Sequence, residues 1–208
     1  FGEPATVLAL AEPSQPYLQA MWRYARGEAL ARGGDIAGLK REAALVRRDA
    51  GLLKDLGNYA GQMAQATGLA ALVLEGRAAM LERRYKAAFG LFRKAAELEE
   101  TKFTDITDPP MWWYPPRRDL ALALLASGDA KGAALASFDL RATAQQKRVR
   151  DQIEALGLSG TQYAADRIIE IEKALSHERL AIEKQCAAAS SQTARGLPGG
   201  SLRRRVLV

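Results

Sequence analysis

Apolar residues recur along most of this chain at three- and four-residue spacing, the pattern of helices that each bury one face. After Pro16, which is tolerated in a first helical turn, Leu18, Met21, Trp22, Ala25, Ala29 and Leu30 follow this spacing. Gly33-Gly34 predicts the stop. Asp35 is placed to cap a second helix that carries Ile36, Leu39, Ala43 and Val46 and ends near Gly51. Together these make one helical hairpin. Ahead of it, residues 1–15 read as an irregular lead-in broken by Pro4 and Pro13, with one short apolar turn around Val7–Leu10.

A longer helix is predicted over Tyr59–Glu82, although Gly61 and Gly68 weaken its first half. Arg83-Arg84 marks a turn without glycine, and another helix is predicted over Tyr85–Glu100. Residues 101–110 form a polar loop closed by prolines. A short apolar helix over Arg117–Ser127 then ends at Gly128, and a further helix starts at Ala130. Sustained period-two alternation with β-branched residues is missing from the sequence, so the expected fold class is all-α.

The later chain has a different chemistry. Residues 141–156 are rich in Gln, Arg and Lys and stop at Gly157. Ser159 followed by Gln162 has the spacing of a capping box. Ile168, Ile171, Leu175 and Ile182 then fall on one stripe, with charges elsewhere. From Ala187 the sequence is small, polar and glycine-rich and ends near Arg203–Arg205, a composition expected to stay disordered alone.

Composition supports the helical reading and narrows function. Hydrophobic residues make up 48% and aromatics 7%, with alanine throughout, and alanine loses no side-chain entropy in a helix. The most apolar run, Gly68–Leu74, is interrupted by Glu75 and Arg77, far short of the roughly 18–20 residues a membrane span needs. The formal charge of +6 owes four units to Arg195, Arg203, Arg204 and Arg205. The remainder is near neutral, unlike the footprint of a dedicated nucleic-acid binder. A start at Phe1 reads as a cut from something longer, with any targeting segment outside it, so localisation stays open. A lone Cys186 does not identify a redox compartment.

The strongest signal is an internal repeat. Leu72, Gly76, Tyr85, Ala88, Phe92 and Ala95 have the spacing of a tetratricopeptide repeat, with Gly76 and Ala88 small where two helices cross. Gly27, Leu30, Gly34 and Ile36 match more weakly, as do Leu120, Ala121, Leu124, Gly128 and Ala133. The intervals Gly27–Gly76 and Gly76–Ala121 exceed the roughly 34 residues of the standard repeat. The segment Asp108-Pro109-Pro110-Met111-Trp112-Trp113-Tyr114-Pro115-Pro116-Arg117 and the run Ala20–Gly27 sharpen the match. Over roughly residues 1–135 the chain resembles a poorly characterised type of bacterial tetratricopeptide-repeat protein. That resemblance implies a right-handed superhelical array of antiparallel helix hairpins and implies no catalytic residues or cofactors. The expected organisation is repeats over 1–140, a helical extension or cap over 141–187, and a basic tail over 188–208.

In such an array the first helix of each hairpin lines the concave face. Matching repeat positions places Tyr24, Glu28 and Arg32 there, then Val73, Arg77, Met80 and Leu81, then Arg118 and Leu122. Arg32, Arg77 and Arg118 would give an anion-attracting groove with an apolar floor, suited to an extended peptide or acidic tail. The bland reading is three solvated arginines. Trp112, Trp113 and Tyr114 either present an aromatic surface to a ligand or pack a long loop onto its neighbours; Trp22 is expected in the core and Tyr24 on the groove. The Lys/Asn clamp of chaperone-tail binders does not stand at these positions.

His177 and Cys186 lack the partners of a metal site, and acidic pairs such as Glu97/Glu100 and Glu170/Glu172 read as solvated stripes. Nothing in the sequence nominates an active site. The function expected is a protein-interaction scaffold that binds a protein or peptide. The rival is a structural or regulatory piece of a larger protein whose catalytic or ligand-binding domain lies elsewhere. The Ile168–Ile182 stripe would serve either a same-chain cap or a homodimer.

Overall fold

The computed structural model describes residues 3–53, 59–103, 112 and 114–194. Trp113, residues 104–111 of the expected loop and the basic end beyond 194 lie outside the described residues. The described elements are all helical: α1 (Pro4–Leu8), α2 (Pro16–Gly33), α3 (Ile36–Leu52), α4 (Ala60–Leu81), α5 (Tyr85–Lys102), α6 (Pro116–Ser127), α7 (Ala130–Ala155) and α8 (Gln162–Ala194). None of them is long and apolar enough to cross a membrane.

The helix breaks have local causes. Gly34 ends α2 and Gly128 ends α6 in the left-handed conformation, at φ 76° and 92°, where a side chain is disfavoured. Asp35 caps α3 by accepting a hydrogen bond from the Gly38 amide at 2.8 Å. Between α4 and α5 the turn uses Arg83 at φ 57°, a conformation that costs a non-glycine residue on the order of 1 kcal/mol. The helix that enters α8 is capped by Thr161, whose Oγ1 accepts from the Ala164 amide at 3.2 Å. Thr161 therefore takes the role expected of Ser159, which lies two residues too early for a helix that starts at Gln162.

The chain divides into two compact units, Phe1–Asp129 and Ala130–Val208. The boundary expected at residue 140 falls inside α7, which runs on unbroken. Likewise α8 stays helical through Ala187–Ala194, where the tail was expected to begin; alanine and serine there sustain the helix rather than ending it.

In the first unit each of α2 to α6 packs on its neighbour in sequence, and α2 packs also on α4. The core is built of Ala20, Leu39, Val46, Leu69, Leu74 and Phe92 with many alanines, which let the helices approach closely. Two glycines mark the tightest approaches. A Cβ at Gly76 would overlap the ring of Phe92 on α5, and one at Gly27 would stand 2.6 Å from Leu74 Cδ1 on α4. Expected at matching repeat positions, the two glycines receive different partners: Gly76 faces α5, the next helix in sequence, and Gly27 faces α4, two helices on.

In the second unit α7 and α8 pair along a seam of Phe138, Ile171 and Leu175, flanked by Ala142, Val149 and Ile182. The predicted apolar stripe of α8 is thus spent on its own hairpin. Asp139 accepts from Arg179 at 2.7 Å, and Arg141 pairs with Glu178 at 3.2 Å on its surface.

Candidate functional site

Three helices of the first unit meet at one guanidinium. Arg77 on α4 stands between Glu28 on α2 and Asp119 on α6.

 Arg77 lies about one turn before Leu81, where α4 ends. Its Nε faces Glu28 Oε2 at 3.3 Å, and its Nη1 donates to Asp119 Oδ1. The Arg77 side chain is 26% exposed, whereas Asp119 as a residue is 1% exposed. Tyr24, one turn before Glu28 on α2, donates its hydroxyl to Glu28 Oε1 at 2.9 Å. Trp112 closes over Tyr24 with ring centroids 5.1 Å apart and planes at 59°. The ring of Phe92 lies beneath the guanidinium, 5.9 Å from Arg77 Cζ.

The electrostatics follow from two carboxylates facing one buried cation. Burial works against the charge of Arg77, but Glu28 and Asp119 more than offset it and raise its pKa further. Burial raises the carboxyl of Asp119, and Arg77 opposes that shift without cancelling it. Burial, then the charge of Glu28, pushes the Tyr24 hydroxyl well above its ordinary value, so it acts as a hydrogen-bond donor only. Among the described residues, Asp119 Oδ2 is buried and accepts no hydrogen bond. An arrangement of this kind fixes helices relative to one another. It offers no nucleophile beside a base, and no group of three or more His, Cys, Asp or Glu is placed to hold a metal ion among the described residues.

The expected groove residues divide into two sets. Tyr24, Glu28 and Val73 are buried, which corrects the expectation that they line an open groove, and Trp112 is buried as its packing alternative expects. Arg77 is half-buried and committed to Glu28 and Asp119, so it is not a solvated anion receptor. Met80 is half-buried, while Arg32, Leu81, Arg118 and Leu122 are exposed. Arg118 stacks over Tyr114, with Cζ 5.5 Å from the ring centroid.

Trp22, expected in the core, and Tyr24, expected on the groove, both depart from expectation. Tyr24 is buried at 7% exposure, and Trp22 is half-buried at the edge of α2. Trp22 Nε1 donates to the Leu10 carbonyl at 3.0 Å, and Arg26 stacks over the indole at 4.7 Å. Arg26 in turn donates to Glu42 and to the Leu8 carbonyl, both at 2.9 Å, which ties the lead-in to α2. Asp119 was missed altogether. An acid in the first turn of a helix ordinarily complements the helix dipole, and only the matching of Arg77 to a carboxylate could have marked it. Comparison with known protein families, with curated proteins and with solved structures finds no match.

Proposed function

We propose that the first unit is a tetratricopeptide-like array of helix hairpins that serves as a non-catalytic scaffold, binding a protein or extended peptide along the face shared by α2, α4 and α6. The observation that carries this reading is the bridge from Arg77 to both Glu28 and Asp119. It joins α2, α4 and α6 at one cation, which supports reading these helices as one face of a stacked array. Beyond the bridge, helical spacing puts Arg32 about one turn past Glu28, Met80 and Leu81 one turn past Arg77, and Leu122 one turn past Arg118. These side chains offer apolar contact with positive charge at its margins, a surface suited to a peptide with hydrophobic and acidic residues. Arg77 contributes by holding the face together rather than by meeting the ligand.

The test is affinity capture with the parent chain and with a variant carrying Arg32→Ala, Arg118→Ala and Leu122→Ala. A second variant, Lys86→Ala with Lys94→Ala, alters exposed positions on α5 and controls for loss of surface charge. All three chains should show equal helicity by circular dichroism. A partner retained by the parent and the α5 variant but lost from the first variant supports the scaffold and locates its face. Equal retention by all three would overturn this assignment.

A further inference from the structure

Four helices of this chain close with the same hydrogen-bond pattern, at Gly34, Arg83, Gly128 and Gly157. Each of these residues stands at positive φ and donates its amide to the carbonyl three residues back. In each case the following residue donates to the carbonyl five residues before itself. Three of the four positions carry glycine, which takes this conformation without steric cost. The fourth carries arginine at φ 57°, where a side chain is disfavoured. Among the described residues, no contact of that side chain offsets the strain. Arg83 is exposed and makes no side-chain hydrogen bond, ion pair or ring contact there. Its neighbours are committed: Glu82 accepts from Arg84 Nε at 2.7 Å and from the ammonium of Lys40 on α3. The turn Glu82–Arg84 therefore presents one uncommitted guanidinium, on a backbone that glycine would hold at lower cost.

We propose that Arg83 is a contact residue for a partner protein and pairs its guanidinium with a carboxylate on an acidic segment of that partner. Backbone strain with no internal return is expected of a residue kept for its outward side chain. A guanidinium meets a carboxylate through two parallel N–H···O bonds, a geometry that lysine does not reproduce. A nucleic-acid backbone fits less well. Its affinity grows with the number of phosphates neutralised, and Glu82 keeps a negative charge beside the single free guanidinium of the turn. The pairing needs no ligand on the face shared by α2, α4 and α6. The capture variants leave Arg83 unchanged, so the two readings stand or fall separately.

The probe is a hexaglutamate peptide, titrated into the nitrogen-15-labelled full chain and followed by NMR, with hexaglutamine as the neutral control. The Nε–Hε resonance of Arg83, assigned by its loss in Arg83→Gly, should shift and saturate with hexaglutamate and stay still with hexaglutamine. The backbone amide of Arg84 reports the same turn in both chains, and its titration should weaken about threefold or more in Arg83→Gly. The arginines near the chain end, Arg195 and Arg203–Arg205, are common to both chains, so the difference isolates Arg83. Arg83→Gly should also melt roughly 2–4 °C higher than the parent, because glycine removes the strain at this cap. An unmoved Arg83 resonance, equal titration of Arg84 in the two chains, or a lower melting temperature in Arg83→Gly would overturn the proposal. So would a short DNA duplex that moves the Arg83 resonance at a lower concentration than hexaglutamate. Should Arg83→Gly fail to fold, Arg83→Lys decides the matter, since it keeps the charge and the backbone cost but loses the planar guanidinium. Weaker titration of Arg84 at an unchanged melting temperature is expected of it, and titration equal to the parent's would overturn the proposal.

Discussion

The ring of Tyr24 meets that of Trp112 at 5.1 Å, while its hydroxyl donates to Glu28 at 2.9 Å. One side chain therefore links an aromatic contact with the segment before α6 to the charged bridge that joins α2, α4 and α6. The two ends of Tyr24 do different work. Loss of the hydroxyl in Tyr24→Phe removes one hydrogen bond to a charged acceptor, a cost of about 1.5 kcal/mol. Loss of the ring in Tyr24→Ala also empties the space under Trp112 and should cost about 3–5 kcal/mol, as aromatic truncations in cores do. Urea unfolding of the two variants checks the order and the gap between them.

The Arg77 bridge makes a sharper prediction. Arg77→Met keeps most of the side-chain volume but leaves Glu28 and Asp119 facing each other without a cation. Breaking a buried pair by removing one partner typically costs about 3–5 kcal/mol, and the partial exposure of Arg77 puts this case near the lower end. Adding Glu28→Gln and Asp119→Asn to Arg77→Met should recover most of that loss, because it removes the stranded charges. A triple variant as unstable as the single one would show that Arg77 acts through packing rather than charge.

How much of this was legible in the sequence depends on how local the cause is. Gly34, Gly128 and Asp35 act within a single turn, and the helix ends they predict are the ones found. The rotation of α2 about its own axis is not local. Trp22 and Tyr24 are about 200° apart on a helix, so one faces inward when the other faces out. With alanine on several sides of α2, the spacing of apolar residues left that choice open, and the close approach of Gly27 to Leu74 on α4 decides it. Glu28 on α2 and Val73 on α4 were misplaced for a different reason. Both were expected on an open face, but α2 packs on α4 and both residues are buried.

Gly76 and Gly68 stand on the same helix and should respond to alanine with opposite signs. A Cβ at Gly76 would overlap the ring of Phe92, a fully buried side chain with little room to shift. Gly76→Ala should therefore destabilise by about 1–3 kcal/mol, the usual cost of overpacking. A Cβ at Gly68 meets nothing within 4 Å, so Gly68→Ala should stabilise α4 by about 0.5–1 kcal/mol. Thermal unfolding of both single variants measures the difference, and equal signs would refute the crossing geometry.

Thr67 offers a gain at one atom. It is fully buried in α4, and its Oγ1 has no hydrogen-bond partner among the described residues. Thr67→Val replaces that hydroxyl with a methyl group of similar size and removes a desolvated polar atom. The expected outcome is a stabilisation of about 1 kcal/mol, read as a higher urea midpoint with an unchanged slope. A loss of stability would mean that the hydroxyl is satisfied in solution.

Stability should also depend on pH through Glu99 on α5. Burial, then the neighbouring charge of Glu100, raises its pKa to about 7, and Arg117 opposes the shift only in part. Arg117 is engaged elsewhere: its Nη2 donates to Glu100 Oε2 at 2.8 Å, and its Nε to Oε1 of the same carboxylate. The sign follows from proton linkage. Between an unfolded value of 4.5 and a folded value of about 7, the folded chain holds a proton that the unfolded chain has lost. The stability this proton confers is fully present below pH 4.5 and is lost as pH rises through about 7. Glu82 moves the other way, because hydrogen bonds from Lys40 and Arg84 lower its pKa, but its window lies below pH 4.5 and leaves the neutral range untouched. Glu99→Gln mimics the protonated acid at every pH. Its melting temperature should match the parent at pH 5 and exceed it at pH 8 by roughly 2–4 °C, after allowance for solvent screening of a partly buried group. A gap that is constant from pH 5 to pH 8 would assign the stabilisation to packing and remove Glu99 as the titrating residue.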